Sequence, residues 1–355
     1  MAAGGCAVNV LLVSANRLKA PYAVYPLGLD YVARALEDRH QVQVVDLNAG
    51  TDPSALVAAL QNTPPDIVGI SIRNIDNTDT LDPHGFTGQY RDLALLIRTH
   101  TTVPIVLGGS GFTIFPVELM ALLKADFGII GEGERLAVLL DALENGKDPV
   151  GIPGVILPEQ VADIPRPLND HLTRKVNLSP PVTDYYIRRG GMLNLQSKRG
   201  CPFRCIYCTY PHIEGRAMRL IAPSEVAATA LALQEAGARY LFITDSAFNA
   251  DVTHSLAVAD AFKAAGLAIP WGGFFAPTRP PDGYFERLVQ AGLTHIEFGT
   301  EAMADGVLKA YDKPFCVADI QHAHRAAQTA GAHIAHYMLL GGPGETPATL
   351  SLIHI

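Results

Sequence analysis

Three cysteines stand close enough along the chain to share one inorganic centre. In KRGCPFRCIYC, three residues separate Cys201 from Cys205 and two separate Cys205 from Cys208. Thiolates at this density suit metal or cluster binding in a reducing compartment better than a disulfide framework. A [4Fe-4S] cluster held wholly by protein takes four of them, and the other cysteines, Cys6 and Cys316, are remote in sequence. One iron would therefore stay open, a Lewis-acidic position for a small chelating ligand, as catalytic zinc keeps a free position. The alternative is zinc with His212, four residues after Cys208, as the fourth ligand. Structural zinc more often joins two separated two-ligand knuckles.

These cysteines need a scaffold, and the pattern around them is one of strands alternating with helices. Strands are expected at Leu193–Ser197, Tyr240–Thr244, Trp271–Phe275, His295–Gly299 and Ile334–Leu340. Gly237, Gly266, Gly292 and Gly331 each close a helical stretch ahead of the next strand. Five βα-type units with no sign of an open-sheet reversal predict a partial (β/α) barrel, with its site at the C-terminal ends of the strands. Asp245, at such an end, is the expected acid-base residue; His295, His333, His336 and Tyr337 are weaker choices. His333 and His336 are three apart on one strand and must point to opposite faces. The pattern breaks off after the fifth strand, so the end of the barrel is expected to be missing, and SLIHI does not continue it.

The first part of the chain alternates in the same way. Expected strands are Asn9–Val13, Val42–Asp46, Ile67–Ile72, Pro104–Leu107 and Phe127–Ile130, apolar enough for burial on both faces. Helical spacing is seen in LGLDYVARALEDR and GQYRDLALLIRTH. From Gly146 the periodicity fades while prolines accumulate, among them Pro149, Pro165, Pro180 and Pro181. The expected division is an α/β domain over 1–145, a proline-rich linker over 146–186 and the barrel over 187–355. In the first domain ligand residues belong at the carboxyl ends of strands: Ser71, Arg73, Gly108, Gly109, and the Gly131, Glu132, Gly133 turn. Paired glycines there would let a bulky ligand approach the backbone.

Composition sets outer bounds. Hydrophobic residues make up 48% and charged residues 17%, without a run of about 18 apolar residues that could span a bilayer. The N-terminus lacks a secretory pattern, which places the protein in the cytoplasm. A net charge of -8 argues against a general nucleic-acid binder.

The CxxxCxxC spacing, with Tyr207 just before the last cysteine, resembles the signature of the radical S-adenosylmethionine (SAM) superfamily. FITDSAFN (Phe242–Asn249), HIEFGTEA (His295–Ala302) and GGPGET (Gly341–Thr346) are similar to its second-, fourth- and fifth-strand loops, although the usual Gly-Gly-Glu triplet is absent. The resemblance implies that Cys201, Cys205 and Cys208 hold a [4Fe-4S] cluster and that Tyr207, Glu301 and Gly342 lie against SAM. The first domain resembles the cobalamin-binding domain of the B12-dependent branch, with YPLGLDYVA, VGIS, LGGSG and GIIGEGE in order. A doubly wound, flavodoxin-like fold is therefore expected there, holding cobalamin. The DxHxxG motif that supplies a lower-axial histidine elsewhere is missing, SANRLKAP standing in its place. Arg73 in ISIRNIDN is then expected at the lower face of cobalt; the other reading pairs it with Asp76 or Asp79.

What the resemblance implies is a methyltransferase that delivers the methyl group of methylcobalamin to an unactivated carbon, a second SAM replenishing it. Its partners would be a small-molecule, peptide or lipid substrate and an electron donor such as flavodoxin or ferredoxin. The alternatives are ring closure or rearrangement without methyl transfer, or a non-catalytic cobalamin- or zinc-binding protein.

Overall fold

The computed structural model describes residues 7–19, 22–49, 53–79, 81–160, 167, 168, 174 and 180–352. Cys6, the last three residues of SLIHI and most of 161–179 lie outside the described residues. The chain divides between Gly190 and Gly191 into two compact units.

In the first unit six strands form one sheet: β1 (Asn9–Ser14), β2 (Gln41–Asp46), β3 (Ile67–Ser71), β4 (Ile105–Gly108), β5 (Phe127–Ile129) and β6 (Val155–Ile156). Their order is β2-β1-β3-β4-β5-β6, with the first five parallel and β6 antiparallel to β5. Side chains alternate between two cores, so Leu11 and Val13 enter one while Val10 and Leu12 enter the other. The helix Leu27–Leu36 covers the second core through Leu29, Val32 and Leu36, and the helix Thr87–His100 covers the first through Tyr90, Leu93 and Ile97. This is the doubly wound, flavodoxin-like arrangement. Strand order reverses between β1 and β3, and such a switch point opens a crevice beyond the carboxyl ends of the strands.

The expected linker over 146–186 belongs in large part to this unit. Val155 and Ile156 are buried and extend the sheet. Arg174 forms a buried ion pair with Asp30 at 2.8 Å, and the backbone N–H of Leu168 donates to Glu132 Oε2 at 2.6 Å. In the helix Pro180–Gly190, the Tyr186 hydroxyl donates to Asp46 Oδ2 at 2.7 Å, and its ring meets Tyr25 edge-on. Anchors of this kind are single polar contacts, and they leave no apolar period to read.

The second unit carries β7 (Met192–Leu195), β8 (Lys198–Arg199), β9 (Arg219–Leu220), β10 (Tyr240–Ile243), β11 (Trp271–Phe275), β12 (Leu293–Glu301) and β13 (His333–Met338). Five of them make a parallel sheet in the order β13-β12-β11-β10-β7, consecutive and without reversal, as along the wall of a barrel. Trp271 at its centre packs edge-on against Phe248 and Phe262. The short hairpin of β8 and β9 is antiparallel and brackets the cysteine loop. Two residues per strand are too few to show a period, so the hairpin is silent in the sequence. Among the described residues no helix is long and apolar enough to cross a membrane.

Candidate functional site

The cysteine loop is presented by two carboxylates, one fully buried and one half-buried. Asp245, just past β10, is fully buried and accepts from the backbone N–H of Ser197 at 2.9 Å, from the Ser197 hydroxyl and from the N–H of Lys198. On the other side Glu214 accepts from Gln196 Nε2 at 3.1 Å and from the N–H of Gly200 at 3.2 Å. Burial raises the pKa of both carboxyls, opposed chiefly by Lys198 at Asp245 and by Arg199 at Glu214. Lys198, itself fully buried, donates from Nζ to the Gly200 carbonyl and to Ser246 Oγ, each at 3.3 Å. Residues 196–200 are thus held rigidly, and Gly200, at φ +91°, passes too close to the Ala217 carbonyl to carry a side chain.

Cys201 follows directly, its N–H donating to the Gly215 carbonyl at 3.1 Å. Cys201 is buried, Cys205 and Cys208 are half-buried, and all three are free thiols. Burial pushes the Cys205 and Cys208 thiols up and Cys201 pushes both further, while Lys313 pulls both down. Donors that repel one another's charged forms over one volume suit a shared centre of positive charge, which binds thiols as thiolates. Among the described residues no three His, Cys, Asp or Glu side chains, the cysteines included, are grouped as a single-ion site, and His212, the fourth ligand that zinc would need, is exposed. A [4Fe-4S] cluster would take the three cysteines of this loop on separate irons.

Tyr207, Glu301 and Gly342 are drawn into one network by two residues that sequence reasoning missed. The Tyr207 hydroxyl is hydrogen-bonded to Glu301, and burial together with that carboxylate pushes its pKa well up. Its ring meets Tyr311 edge-on at 5.5 Å, and Lys313 Nζ lies 5.1 Å from its centroid. Tyr311 in turn lies directly against Gly342. Nothing in LKAYDKPFC flags Tyr311 or Lys313, because only the return of this turn onto the cysteine loop gives them a role.

Asp245, the expected acid-base residue, has its oxygens engaged by Ser197 and Lys198 and no exposed face, an arrangement that holds the loop. The two histidines do diverge. His333 stacks on His295 at 5.0 Å, whereas His336 turns to Thr300 and His324, at 2.6 and 3.0 Å.

At the carboxyl edge of the first unit's sheet, Ser71 ends β3 and Gly108 ends β4, paired in register. Space is open beside Gly108, whereas Gly109, at φ +98°, presses on the Ile72 carbonyl. Arg73 is exposed and, among the described residues, forms no ion pair with Asp76 or Asp79, which accept from the N–H groups of Thr78 and Leu81. Among the described residues, buried side-chain atoms lack partners just past three strands: Asn16 Nδ2 after β1, Asn48 Oδ1 after β2 and Asn74 Oδ1 after β3. Buried polar atoms are normally satisfied, so this edge suits a large ligand rich in hydrogen-bonding groups, as cobalamin is. The Gly131 to Gly133 turn has packing uses of its own. Gly131 N–H donates to Thr113 Oγ1, Glu132 receives the Leu168 N–H, and a side chain at Gly133 would strike Val32.

Residues 13–140 match the B12 binding domain, and residues 195–354 match the Radical SAM superfamily. The chain is a B12-binding radical SAM protein. Its domains are those that carry cobalamin and a [4Fe-4S] cluster with SAM. Among relatives of this B12-binding radical SAM protein is the tryptophan 2-C-methyltransferase of Streptomyces laurentii, 25% identical over 96% of this chain and 69% of that one. The cytidylyl-2-hydroxyethylphosphonate methyltransferase of Streptomyces wedmorensis is 24% identical over 91% of this chain and 70% of that one. The radical SAM methyltransferase TsrM of Kitasatospora setae, solved with tryptophan and a SAM analogue, superposes with a TM-score of 0.85 at 25% identity, covering 98% of this chain and 70% of that one.

Proposed function

We propose that this protein methylates an unactivated carbon of a small molecule, using cobalamin, a [4Fe-4S] cluster and SAM. The observation that carries the reading is the pairing of two sites on one chain. The second unit has three free cysteines on a loop pinned by the carboxylates of Asp245 and Glu214. The first has a flavodoxin-like sheet whose carboxyl edge bears side-chain amides left unsatisfied among the described residues. Relatives along nearly the whole chain are methyltransferases, which favours methyl transfer over ring closure. Their substrates, tryptophan and a cytidylyl phosphonate, have little in common, so the substrate here is left at a small molecule with a carbon acceptor.

Bound together, the cofactors supply a methyl carrier and a one-electron step. The chain's own residues divide the rest of the work. Asp245 and Glu214 hold the cysteine loop in register, Tyr207 and Glu301 form a hydrogen-bonded wall beside it, and Gly342 lets Tyr311 brace that wall. Arg73, exposed just past β3 and without an ion pair among the described residues, would lie against cobalamin, where its cation would disfavour a ligating base. An electron donor of the flavodoxin or ferredoxin type completes the system.

The test is anaerobic reconstitution with iron, sulfide and hydroxocobalamin, followed by metal analysis. About four irons and one cobalt per chain are expected. Incubation with SAM and a library of aromatic and phosphonate acceptors should then give S-adenosylhomocysteine and a product heavier by one methylene. Zinc without iron would end the radical SAM reading, and iron without cobalt would end the methyltransferase one. Formation of 5'-deoxyadenosine marks a radical route, and its absence a polar one.

A further inference from the structure

Lys313 is a cation sequestered at the cluster mouth, with its side chain only 6% exposed. Its Nζ stands 3.2 Å from Glu301 Oε1 and 3.4 Å from the Gly299 carbonyl, and it lies near the faces of Tyr207 and Phe315 at 5.1 and 5.5 Å. A buried ammonium needs such company, because taking it out of water is costly unless anions, carbonyls and ring faces replace the lost hydration. Glu301 pays in conformation for its part in this, sitting at φ +67°, a region that residues other than glycine rarely enter. A strained non-glycine residue persists where its surroundings over-determine it, and it tends to mark a working site.

The turn that carries Lys313 is also fastened to the cysteine loop at two further points. The Ile206 N–H donates to the Tyr311 carbonyl at 3.1 Å, and Arg204 pairs with Asp312 at 3.2 Å. Residues 311–313 therefore track residues 204–207 one contact after another, and Lys313 is the only one of the three to bring a buried charge.

We propose that Lys313 is the resident cation of the cluster site, a positioning residue that fixes Glu301 and Tyr207 for SAM and whose charge raises the electron affinity of the cluster. The inference rests on the reading that Cys201, Cys205 and Cys208 hold a [4Fe-4S] cluster. A nearby positive charge favours the reduced, more negative cluster, and net charge around a cluster is one of the determinants of its potential. Removal of Lys313 and removal of the Glu301 charge must then shift the potential in opposite directions, which a merely structural role would not produce.

The experiment uses the reconstituted full chain, with iron content and the electron paramagnetic resonance spectrum checked first. A wild-type protein without a cluster would remove the underlying reading before Lys313 is examined. The midpoint potential and the SAM dissociation constant are then measured for wild type, Lys313→Met, Lys313→Arg and Glu301→Gln. Lys313→Met is expected to move the potential to more negative values and to weaken SAM binding about tenfold. Lys313→Arg should stay near wild type, and Glu301→Gln should move the potential to less negative values. If Lys313→Met fails to take up iron, Glu301→Gln decides alone: a less negative potential supports the proposal and an unchanged one overturns it. Shifts of the same sign in Lys313→Met and Glu301→Gln, or no shift in either, overturn it as well.

Discussion

Tyr311 and Gly342 pack so tightly that a β-carbon at position 342 would fall far inside contact distance of the Tyr311 hydroxyl and ring. The ring has little room to retreat, since Tyr207 stands edge-on to it at 5.5 Å. Gly342→Ala should therefore act on the SAM site through Tyr311. Overpacking of this kind costs about 1–3 kcal/mol, and part of it should appear as weaker SAM binding in equilibrium dialysis of the reconstituted protein. Adding Tyr311→Phe to Gly342→Ala should recover some of the loss. Equal affinities in all variants would show that the contact does not govern the site.

Asp245→Ala should behave as a structural lesion. It leaves the buried N–H groups of Ser197 and Lys198 without an acceptor, each at a cost of about 1–3 kcal/mol, and iron loading should fall together with thermal stability. Asp245→Asn retains an acceptor oxygen and should load iron almost normally. A variant that folds and binds iron like wild type but is catalytically dead would instead restore Asp245 to the acid-base role.

Acid should weaken the second unit through His336. Burial, helped by the neighbouring His324, lowers its pKa from 6.5 to about 4. Between those values the unfolded chain binds a proton that the folded one refuses, so stability falls as pH drops from about 6.5 towards about 4. The ring is only partly buried, and screening by solvent holds the effect to about 1–2 kcal/mol. Unfolding midpoints at pH 7 and pH 5 should differ less in His336→Gln than in wild type. An identical pH dependence would mean that His336 titrates normally in the folded protein.

Arg73→Ala should open the lower face of cobalt to added bases. Imidazole at millimolar concentration is expected to give a nitrogen-coupled electron paramagnetic resonance signal of the reduced cobalamin in Arg73→Ala and none in wild type. Nitrogen coupling in wild type without imidazole would exclude an empty lower face.

Of the thirteen strands among the described residues ten were legible, because each is long enough to show β-branched or two-sided apolar character between helices of clear period. The three missed strands, at Val155–Ile156, Lys198–Arg199 and Arg219–Leu220, have two residues each, too few for any pattern. The cysteines could be read from spacing alone. Asp245 could be found at a strand end, yet its task could not, since burial and the orientation of the Ser197 amide are three-dimensional facts. Glu214, Tyr311 and Lys313 stayed silent for the same reason: each acts by returning to a loop it does not adjoin in sequence.

The anchoring of Arg174 on Asp30, and of Leu168 on Glu132, bears on modularity. A recombination boundary at residue 145 would strip a buried guanidinium from its carboxylate and expose the edge of β5, a loss of about 3–5 kcal/mol for the ion pair alone. Chimeras that exchange the cobalamin module between relatives should fold when joined at 190/191 and aggregate when joined at 145. The heritable unit on the N-terminal side is thus longer than its sheet-and-helix repeat suggests, and the proline-bearing stretch travels with it.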